Sequence, residues 1–175
     1  METTYTIKRI TKSDEPFLWE MLYHALYVPD GKPPFPREIL SEPEIKRYVE
    51  NWGMPDDVGF IARDGDKPIG AVWLRKFSED NQGFGFVSNA TPELSIAILP
   101  DYRNKGIGTA LLNRIFELAS EWYEAISLSV SLENPAYKLY ERAGFQVVKK
   151  TRDSATMLKY LKSNSPKLPA PDTGE

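Results

Sequence analysis

The chain has 175 residues, 41% of them hydrophobic and 27% charged, which excludes wholesale disorder and fits one globular domain with a hydrophobic core. It contains no cysteine and one histidine, His24, so disulfides, thiolate metal sites and a histidine-rich metal centre are excluded, and we expect no metal. Its 22 basic and 25 acidic residues give a net charge of −3, without the basic excess typical of nucleic-acid-binding proteins.

Neither membrane insertion nor secretion is indicated by the sequence. No apolar segment approaches the roughly 20 residues of a membrane span. The first ten residues, METTYTIKRI, lack the apolar region of a secretory signal peptide. We therefore expect a soluble, cytoplasmic protein that binds neither membranes nor nucleic acids.

The pattern of apolar residues predicts the elements of a mixed sheet. The first half contains a strand Tyr5–Ile10, a helix from Ser13 or Asp14 to about Tyr27, a helix Glu44–Trp52, and strands Val58–Arg63, Pro68–Phe77 and Glu93–Leu99. The second half contains a helix Gly106–Trp122, a strand Ala125–Val130, a helix Pro135–Ala143, and strands Phe145–Lys150 and Ala155–Leu161. A polar loop, Ser78–Thr91, adds a candidate short strand at Phe84–Val87. This order predicts a single α+β (mixed α/β) domain built around one sheet.

Proline is clustered in two regions of the chain. Five of the 14 prolines lie between Pro29 and Pro43, where they stiffen a loop between the first two predicted helices. Three more lie in the closing segment, which has few apolar residues to bury. We therefore expect a domain over residues 1–162 and a flexible, proline-rich tail over residues 163–175.

The segment that follows the strand Glu93–Leu99 is typical of a phosphate-binding turn. It reads Arg103-Asn104-Lys105-Gly106-Ile107-Gly108 and opens the most amphipathic helix of the chain. The first amides of a helix have no internal partners and attract anions, and the two glycines let a bulky anion approach the backbone. The pattern matches neither the Walker motif nor the dinucleotide fingerprint, since Leu111 stands where a third glycine is required. Glycines that merely allow close packing are the alternative interpretation.

A second segment gives the first one a family context. Asn134–Phe145 reads NPAYKLYERAGF. Together the two segments resemble the Gcn5-related N-acetyltransferase (GNAT) superfamily, whose Gln/Arg-x-x-Gly-x-Gly/Ala turn matches Arg103–Gly108. The family's later Asn, Ala, Leu-Tyr and Gly-Phe match Asn134, Ala136, Leu139-Tyr140 and Gly144-Phe145. The resemblance covers about Tyr5 to Leu161, with one departure, since Asn134 precedes Tyr140 by six residues instead of the seven found in many members.

The resemblance implies a fold, a donor and a binding mode. The fold would be a twisted, mostly antiparallel mixed sheet of six to seven strands flanked by about four helices. The donor would be acetyl-CoA, and its acetyl group would pass directly to a primary amine of a small molecule, an amino acid or a peptide, without a metal or a covalent intermediate. The residues implied in binding acetyl-CoA are Ile96, Ala97 and Ile98 for the pantetheine arm, Arg103, Asn104, Lys105, Gly106, Ile107, Gly108 and Thr109 for the pyrophosphate, and Asn134 and Tyr140 nearby.

Two residues are implied in proton transfer. Tyr140 matches the position of the family's general acid, and the alternative is a core tyrosine packed with Phe145. Glu93 matches a position where members often keep a general base that acts through water, and the alternative is a solvated carboxylate. We expect His24 to be a half-buried structural residue.

The acceptor amine is less well indicated. The family binds it near the segments that correspond here to Val28–Trp52 and Phe77–Thr91, which suggests a small cationic amine or an amino acid. The aromatic and acidic residues behind this hypothesis are Tyr27, Phe35, Trp52, Phe77, Phe84, Phe86, Asp30, Glu38, Glu42 and Glu44. A solvated acidic loop over core aromatics is the alternative. A CoA-binding regulatory domain with little turnover is the alternative function. Many members of the family are dimers, so a homodimer is compatible with the resemblance, but the sequence does not indicate the oligomeric state.

Overall fold

The computed structural model describes residues 4–161, so the predicted tail at 163–175 lies outside the described residues. The strands are β1 (Thr6–Arg9), β2 (Val58–Asp64), β3 (Lys67–Arg75), β4 (Glu93–Ile98), β5 (Ala125–Ser131), β6 (Gln146–Lys150) and β7 (Ser154–Tyr160). The helices are α1 (Glu15–Ala25), α2 (Pro43–Lys46), α3 (Ile107–Ala119) and α4 (Ala136–Arg142), with 3-10 turns at Lys12–Asp14, Arg37–Ser41 and Pro100–Tyr102.

The seven strands form one mixed sheet in the order β1-β2-β3-β4-β5-β7-β6. Every neighbouring pair is antiparallel except β4 and β5, which run parallel because α3 crosses over between them. The predicted fold, a mostly antiparallel mixed sheet of six to seven strands with about four helices, is confirmed.

Alternation along the strands divides the core between the two faces of the sheet. One face packs on α3 and α4 through residues such as Phe60, Val72 and Leu94. The opposite face packs on α1 and the segment after α2 through residues such as Ile61 and Trp73. The central strands of the sheet are therefore covered on both sides, whereas the edge strands β1 and β6 are largely exposed.

Two predicted elements are wrong or too long. No strand forms at Phe84–Val87, because Phe84 and Gly85 occupy a turn in which the Phe86 N–H donates to the Gly83 carbonyl oxygen at 3.2 Å. The second helix is regular only to Lys46 and continues as turns to Asn51, whose φ of +59° is left-handed and stops helical propagation.

Candidate active site

Strands β4 and β5 are joined at one residue pair and then separate. Glu93 pairs with Ser127, and the Ser127 N–H donates to the Pro92 carbonyl oxygen at 3.0 Å. We call the region between residues 94–98 of β4 and β5 the strand gap. The gap opens the middle of an otherwise continuous sheet.

Main-chain groups of β4 line the strand gap in a fixed alternation. The Leu99 N–H donates to the Ile69 carbonyl oxygen of the β3 side at 2.8 Å, so Ala97 faces β3 while Ile96 and Ile98 direct their main-chain groups toward β5. The Ile98 carbonyl oxygen accepts a hydrogen bond from Arg103 Nε at 3.1 Å. Of the three β4 residues predicted to bind a cofactor, Ile96 and Ile98 therefore direct their main-chain groups to the gap. Ala97 directs its own to β3, and its side chain, 7% exposed, packs in the core on the α1 face of the sheet.

The predicted phosphate turn, residues 103–109, leads into the N-terminus of α3. Asn104 and Gly106 have left-handed φ values of +61° and +82°, and α3 begins at Ile107. A Cβ added to Gly108 would meet nothing nearer than Leu139 Cδ2 at 3.8 Å, so packing within the protein does not require glycine there. The turn thus offers unpaired first-turn amides beside open space, an arrangement that fits a pyrophosphate.

The other members of the phosphate turn are exposed. The Lys105 ammonium lies 5.3 Å from the centre of the Tyr102 ring, and Thr109 is exposed on the first turn of α3. These side chains are free to move toward an anion, whereas the amides are fixed by the fold.

Glu93 is buried at the end of the strand gap, with 3% of its surface exposed. Its Oε1 accepts hydrogen bonds from the Tyr48 hydroxyl at 2.6 Å and from the Gly85 N–H at 2.9 Å. Burial raises the pKa of the Glu93 carboxyl to about 7, against the lowering effect of those two hydrogen bonds. The carboxyl is therefore not the solvated strand-end residue of the alternative interpretation, and it changes protonation state near neutral pH.

A glycine-rich turn covers the Glu93 carboxyl. A Cβ on Gly83 would collide with Glu93 Oε2, and a Cβ on Gly85 would lie 2.5 Å from the main-chain carbon of Leu128. Real Cβ atoms do not approach main chain so closely, so position 85 needs glycine, whereas a side chain at position 83 would displace the ends of the Glu93 and Tyr48 side chains. This turn packs directly on β5 and aims the Gly85 N–H at the carboxylate.

The Tyr48 hydroxyl forms hydrogen bonds both to the Glu93 carboxyl and to the glycine-rich turn that covers it. It donates to Glu93 Oε1 and accepts from the Phe84 N–H at 2.7 Å. Burial, together with the charge of Glu93, raises the pKa of the Tyr48 phenol above its usual range, so the phenol stays protonated. The Tyr48 carbonyl oxygen accepts from Trp73 Nε1 at 3.0 Å, which fixes the segment on β3.

A buried ion pair on β3 also fixes the segment around Tyr48. Arg75 is 2% exposed and pairs with Asp57, with Nη2 to Oδ2 at 2.8 Å. Its Nη1 donates to the carbonyl oxygens of Arg47 and Glu50 at 2.9 and 2.7 Å. The main chain on both sides of Tyr48 is thereby tied to β3.

Tyr140 and Asn134 lie on the other side of the strand gap. Tyr140 is 8% exposed, its ring packs edge-on against Phe145 at 5.9 Å, and burial raises its pKa to about 12. Asn134 Oδ1 accepts a hydrogen bond from the N–H of Ala136, the first residue of α4, at 2.9 Å. Tyr140 therefore packs in the core, as the alternative interpretation holds, while its position on α4 also brings it to a cavity.

That cavity, which we call the cleft, has a volume of about 340 Å³ and brings the predicted catalytic pair together. Glu93, Ile96, Asn134 and Tyr140 all line it. Tyr48 lines it as well. Tyr48, Gly83 and Gly85 were missed from the sequence, where only the repeated glycine at 83 and 85 hinted at close packing.

Residues proposed for acceptor binding divide into two groups. Tyr27, Phe35 and Phe84 line the cleft. The buried Trp52 and Phe77 belong to the core, Phe86 packs against that core, and Asp30, Glu38, Glu42 and Glu44 are exposed outside the cleft lining. His24 is partly buried and its Nε2 lies 3.1 Å from Glu20 Oε1, away from the cleft lining, in keeping with a structural role.

Within residues 4–161, no three acidic or histidine side chains lie close enough together to hold a metal ion. Over the same range, no helix combines the length and the apolar character needed to cross a membrane.

The fold is shared with solved acetyltransferases. The ribosomal-protein-S18-alanine N-acetyltransferase of Escherichia coli superposes with a TM-score of 0.65 at 20% identity, over 94% of this chain and 99% of its own. The yncA protein of Salmonella typhimurium, solved with its cofactor acetyl-CoA, also gives 0.65 at 20% identity, over 97% and 98% of the two chains. Residues 18–145 match the Acetyltransferase (GNAT) family, and the chain belongs to this family.

Sequence relatives point to the same class. An uncharacterized N-acetyltransferase of Methanocaldococcus jannaschii is 28% identical over 153 residues, which are 82% of this chain and 61% of the relative. An N-alpha-acetyltransferase of Sulfurisphaera tokodaii is 45% identical over 62 residues, 34% of this chain and 37% of the relative. The chain thus spans less than two thirds of the length of these relatives.

Proposed function

We propose that the protein transfers the acetyl group of acetyl-CoA to a primary amine by direct attack in a ternary complex. The observation that carries this proposal is one cleft lined by both the Glu93 carboxyl and Tyr140, at the point where β4 and β5 separate. Membership of the GNAT family supports the same reaction.

Acetyl-CoA supplies an activated acetyl group as a thioester. The main-chain amides of residues 105–109 would hold its pyrophosphate, since they are oriented before binding and carry the positive end of the α3 dipole. Main-chain groups of Ile96 and Ile98 would pair with the amides of its pantetheine arm, as an added strand pairs with a sheet edge. Arg103 would exchange its bond to the Ile98 carbonyl oxygen for one to phosphate, and Asn134 would add a donor from the opposite wall.

Glu93 is the proposed general base. An α-ammonium group has a pKa of about 7.7–8.0, so a carboxyl with a pKa of about 7 accepts its proton, directly or through water, at a cost of about one pKa unit. An ordinary carboxyl, near 4.5, would be a poorer base by more than two further units. The burial that raises the pKa of Glu93 therefore suits it to this step.

Tyr140 is the proposed acid. With a pKa of about 12 its phenol is protonated at neutral pH and is a hydrogen-bond donor. A thiol has a pKa of about 8.5, so the departing sulfur needs a hydrogen bond more than a complete proton transfer. Donation from Tyr140 Oη would stabilise that sulfur as the carbon–sulfur bond breaks.

An amine panel assayed for release of free CoA tests the proposal. We expect release by the unaltered protein, a loss of about 100-fold or more in kcat for Glu93→Gln, and a smaller loss for Tyr140→Phe, with CoA affinity retained in both. Tyr137→Phe on the same helix and Glu44→Gln outside the cleft lining are matched controls. Calorimetric binding of CoA without release by any amine would instead support a regulatory CoA-binding domain.

A cytoplasmic location and a homodimer remain predictions. The cysteine-free composition is compatible with a reducing compartment and supports the first. Equilibrium sedimentation of the full chain would test the second.

A further inference from the structure

The helix side of the cleft is apolar. Side chains from α1 and from the segment that follows it to α2 form a continuous wall, made of Leu22, Leu26, Tyr27, Phe35, Ile39 and Ile45. Apart from the phenol groups of Tyr27, Tyr48 and Tyr140, the polar groups of the lining lie on the sheet side, on β4, on β5 and just after β5. The donor was proposed above to occupy the strand gap, so the apolar wall is left for the acceptor.

Among residues 4–161, no side chain that lines this wall could serve as a counterion for a second ammonium group. Within the same range, Glu93 is the one charged residue in the lining of the cleft. The four carboxylates predicted to attract a cation are exposed outside it. Nearby, Glu20 is already paired with Arg37, whose guanidinium also lies 4.2 Å from the Tyr23 ring.

We infer that the acceptor is a primary amine attached to an uncharged, apolar group, such as the N-terminal aliphatic or aromatic residue of a peptide or a hydrophobic monoamine. This inference rests on the proposed function, because it takes the amine to lie beside Glu93. It differs from the sequence-based hypothesis of a cation held by acidic residues, because those residues lie outside the cleft lining. The apolar group of the acceptor packs on the wall, and its single ammonium group lies beside the Glu93 carboxylate.

The chemistry of Glu93 favours the peptide source. Its carboxyl is better matched to an α-ammonium group than to an aliphatic ammonium group, whose pKa is about 10.4. A peptide that begins with leucine or phenylalanine fits both features, because its α-ammonium group suits Glu93 as a base and its side chain can pack on the apolar wall.

Matched acceptors test the inference with the full chain and acetyl-CoA. Tripeptides X-Gly-Gly, with X as leucine, phenylalanine, asparagine, lysine or glutamate, vary the side chain at a constant α-amine. Hexylamine and 1,6-diaminohexane differ by one terminal charge and represent free amines. We expect kcat/KM for the leucine and phenylalanine peptides to exceed that for the asparagine, lysine and glutamate peptides by about tenfold or more, and hexylamine to exceed the diamine.

Two neighbouring residues provide a variant and its control. Ile39 lines the cleft, whereas Leu40 packs on the same core cluster without lining it. Ile39→Asp should erase the preference for leucine and improve the lysine peptide, while Leu40→Asp should leave the ratio of the two unchanged. Thermal unfolding of both variants checks that they fold.

A binding measurement separates failure of the inference from failure of the proposed function. Calorimetry with CoA and the N-acetylated peptides reports the preference of the wall without turnover. Turnover with equal rates for charged and apolar acceptors would overturn the inference alone. Selective binding of the apolar peptides without any CoA release would overturn the proposed function and keep the apolar site. If the protein showed no selectivity in binding and released no CoA, both the inference and the proposed function would be overturned.

Discussion

Replacing Tyr48 by phenylalanine tests how the cleft controls its proposed base. The substitution keeps the ring, which packs edge-on against Phe77 at 5.1 Å, and removes only the hydroxyl that donates to Glu93 Oε1. The charged carboxylate loses a hydrogen bond that favours it, so the pKa of Glu93 must rise.

The size of this rise follows from the hydrogen bond. A hydrogen bond to a charged group is worth roughly 1.5–3 kcal/mol, which corresponds to roughly 1–2 pKa units. The pKa of Glu93 would move from about 7 to roughly 8–9. At pH 7 the ionised fraction, and with it kcat/KM, should fall roughly 5- to 50-fold and recover above pH 9.

The assay is the pH profile of kcat/KM for CoA release, followed from pH 5 to 10. Tyr137→Phe is the control, because Tyr137 carries the same phenol but lies outside the cleft lining. A folded Tyr48→Phe protein whose acidic limb coincides with that of the unaltered protein would refute the role given to this phenol.

Three further substitutions probe stability and binding. Because the folded protein binds the Glu93 proton more tightly than the unfolded chain does, we expect Glu93 to lower the free energy of unfolding by about 3 kcal/mol as pH rises from 4.5 to above 7. Glu93→Gln should remove this decline. Gly108→Ala should raise the free energy of unfolding by up to about 1 kcal/mol, since the new methyl group meets only Leu139 at 3.8 Å, yet it should weaken CoA binding about tenfold. Gly85→Ala should lower the free energy of unfolding by about 1–3 kcal/mol, because its Cβ would collide with the β5 main chain.

Each of these has its own measurement. Urea titrations between pH 4 and 9 measure the first, and parallel curves for the two proteins would contradict it. Calorimetry and thermal unfolding together measure the second, where unchanged CoA affinity would remove Gly108 from the binding site. Urea unfolding at one pH measures the third, and full stability of Gly85→Ala would mean that the covering turn can shift.

The sequence predicted the elements whose patterns are local. The apolar spacing of α3 is visible within the chain, and Gly144 beyond α4 is a recognisable helix end with a φ of +99°. Tyr140 and the phosphate turn were proposed from contiguous motifs that resemble those of the family. Glu93 was proposed because family members often keep a glutamate at the start of the strand that leads into the turn.

The rest of the site depends on contacts between distant segments. Tyr48 and Glu93 are 45 positions apart, and neither has a pattern that announces the other. Phe84 lies in a stretch whose composition suits a strand, but Gly83 and Gly85 instead let that stretch turn against β5. The raised pKa of Glu93 results from that burial, so the composition of the sequence does not predict it.

The single residue pair between β4 and β5 divides the sheet into two blocks, β1–β4 and β5–β7, each held by antiparallel ladders. Such blocks are natural units of cooperative opening. A ligand that pairs with Ile96 and Ile98 while it contacts α4 would bridge them. Amide hydrogen exchange at these two residues should then slow on CoA binding, because the bound donor would couple the two blocks into one cooperative unit.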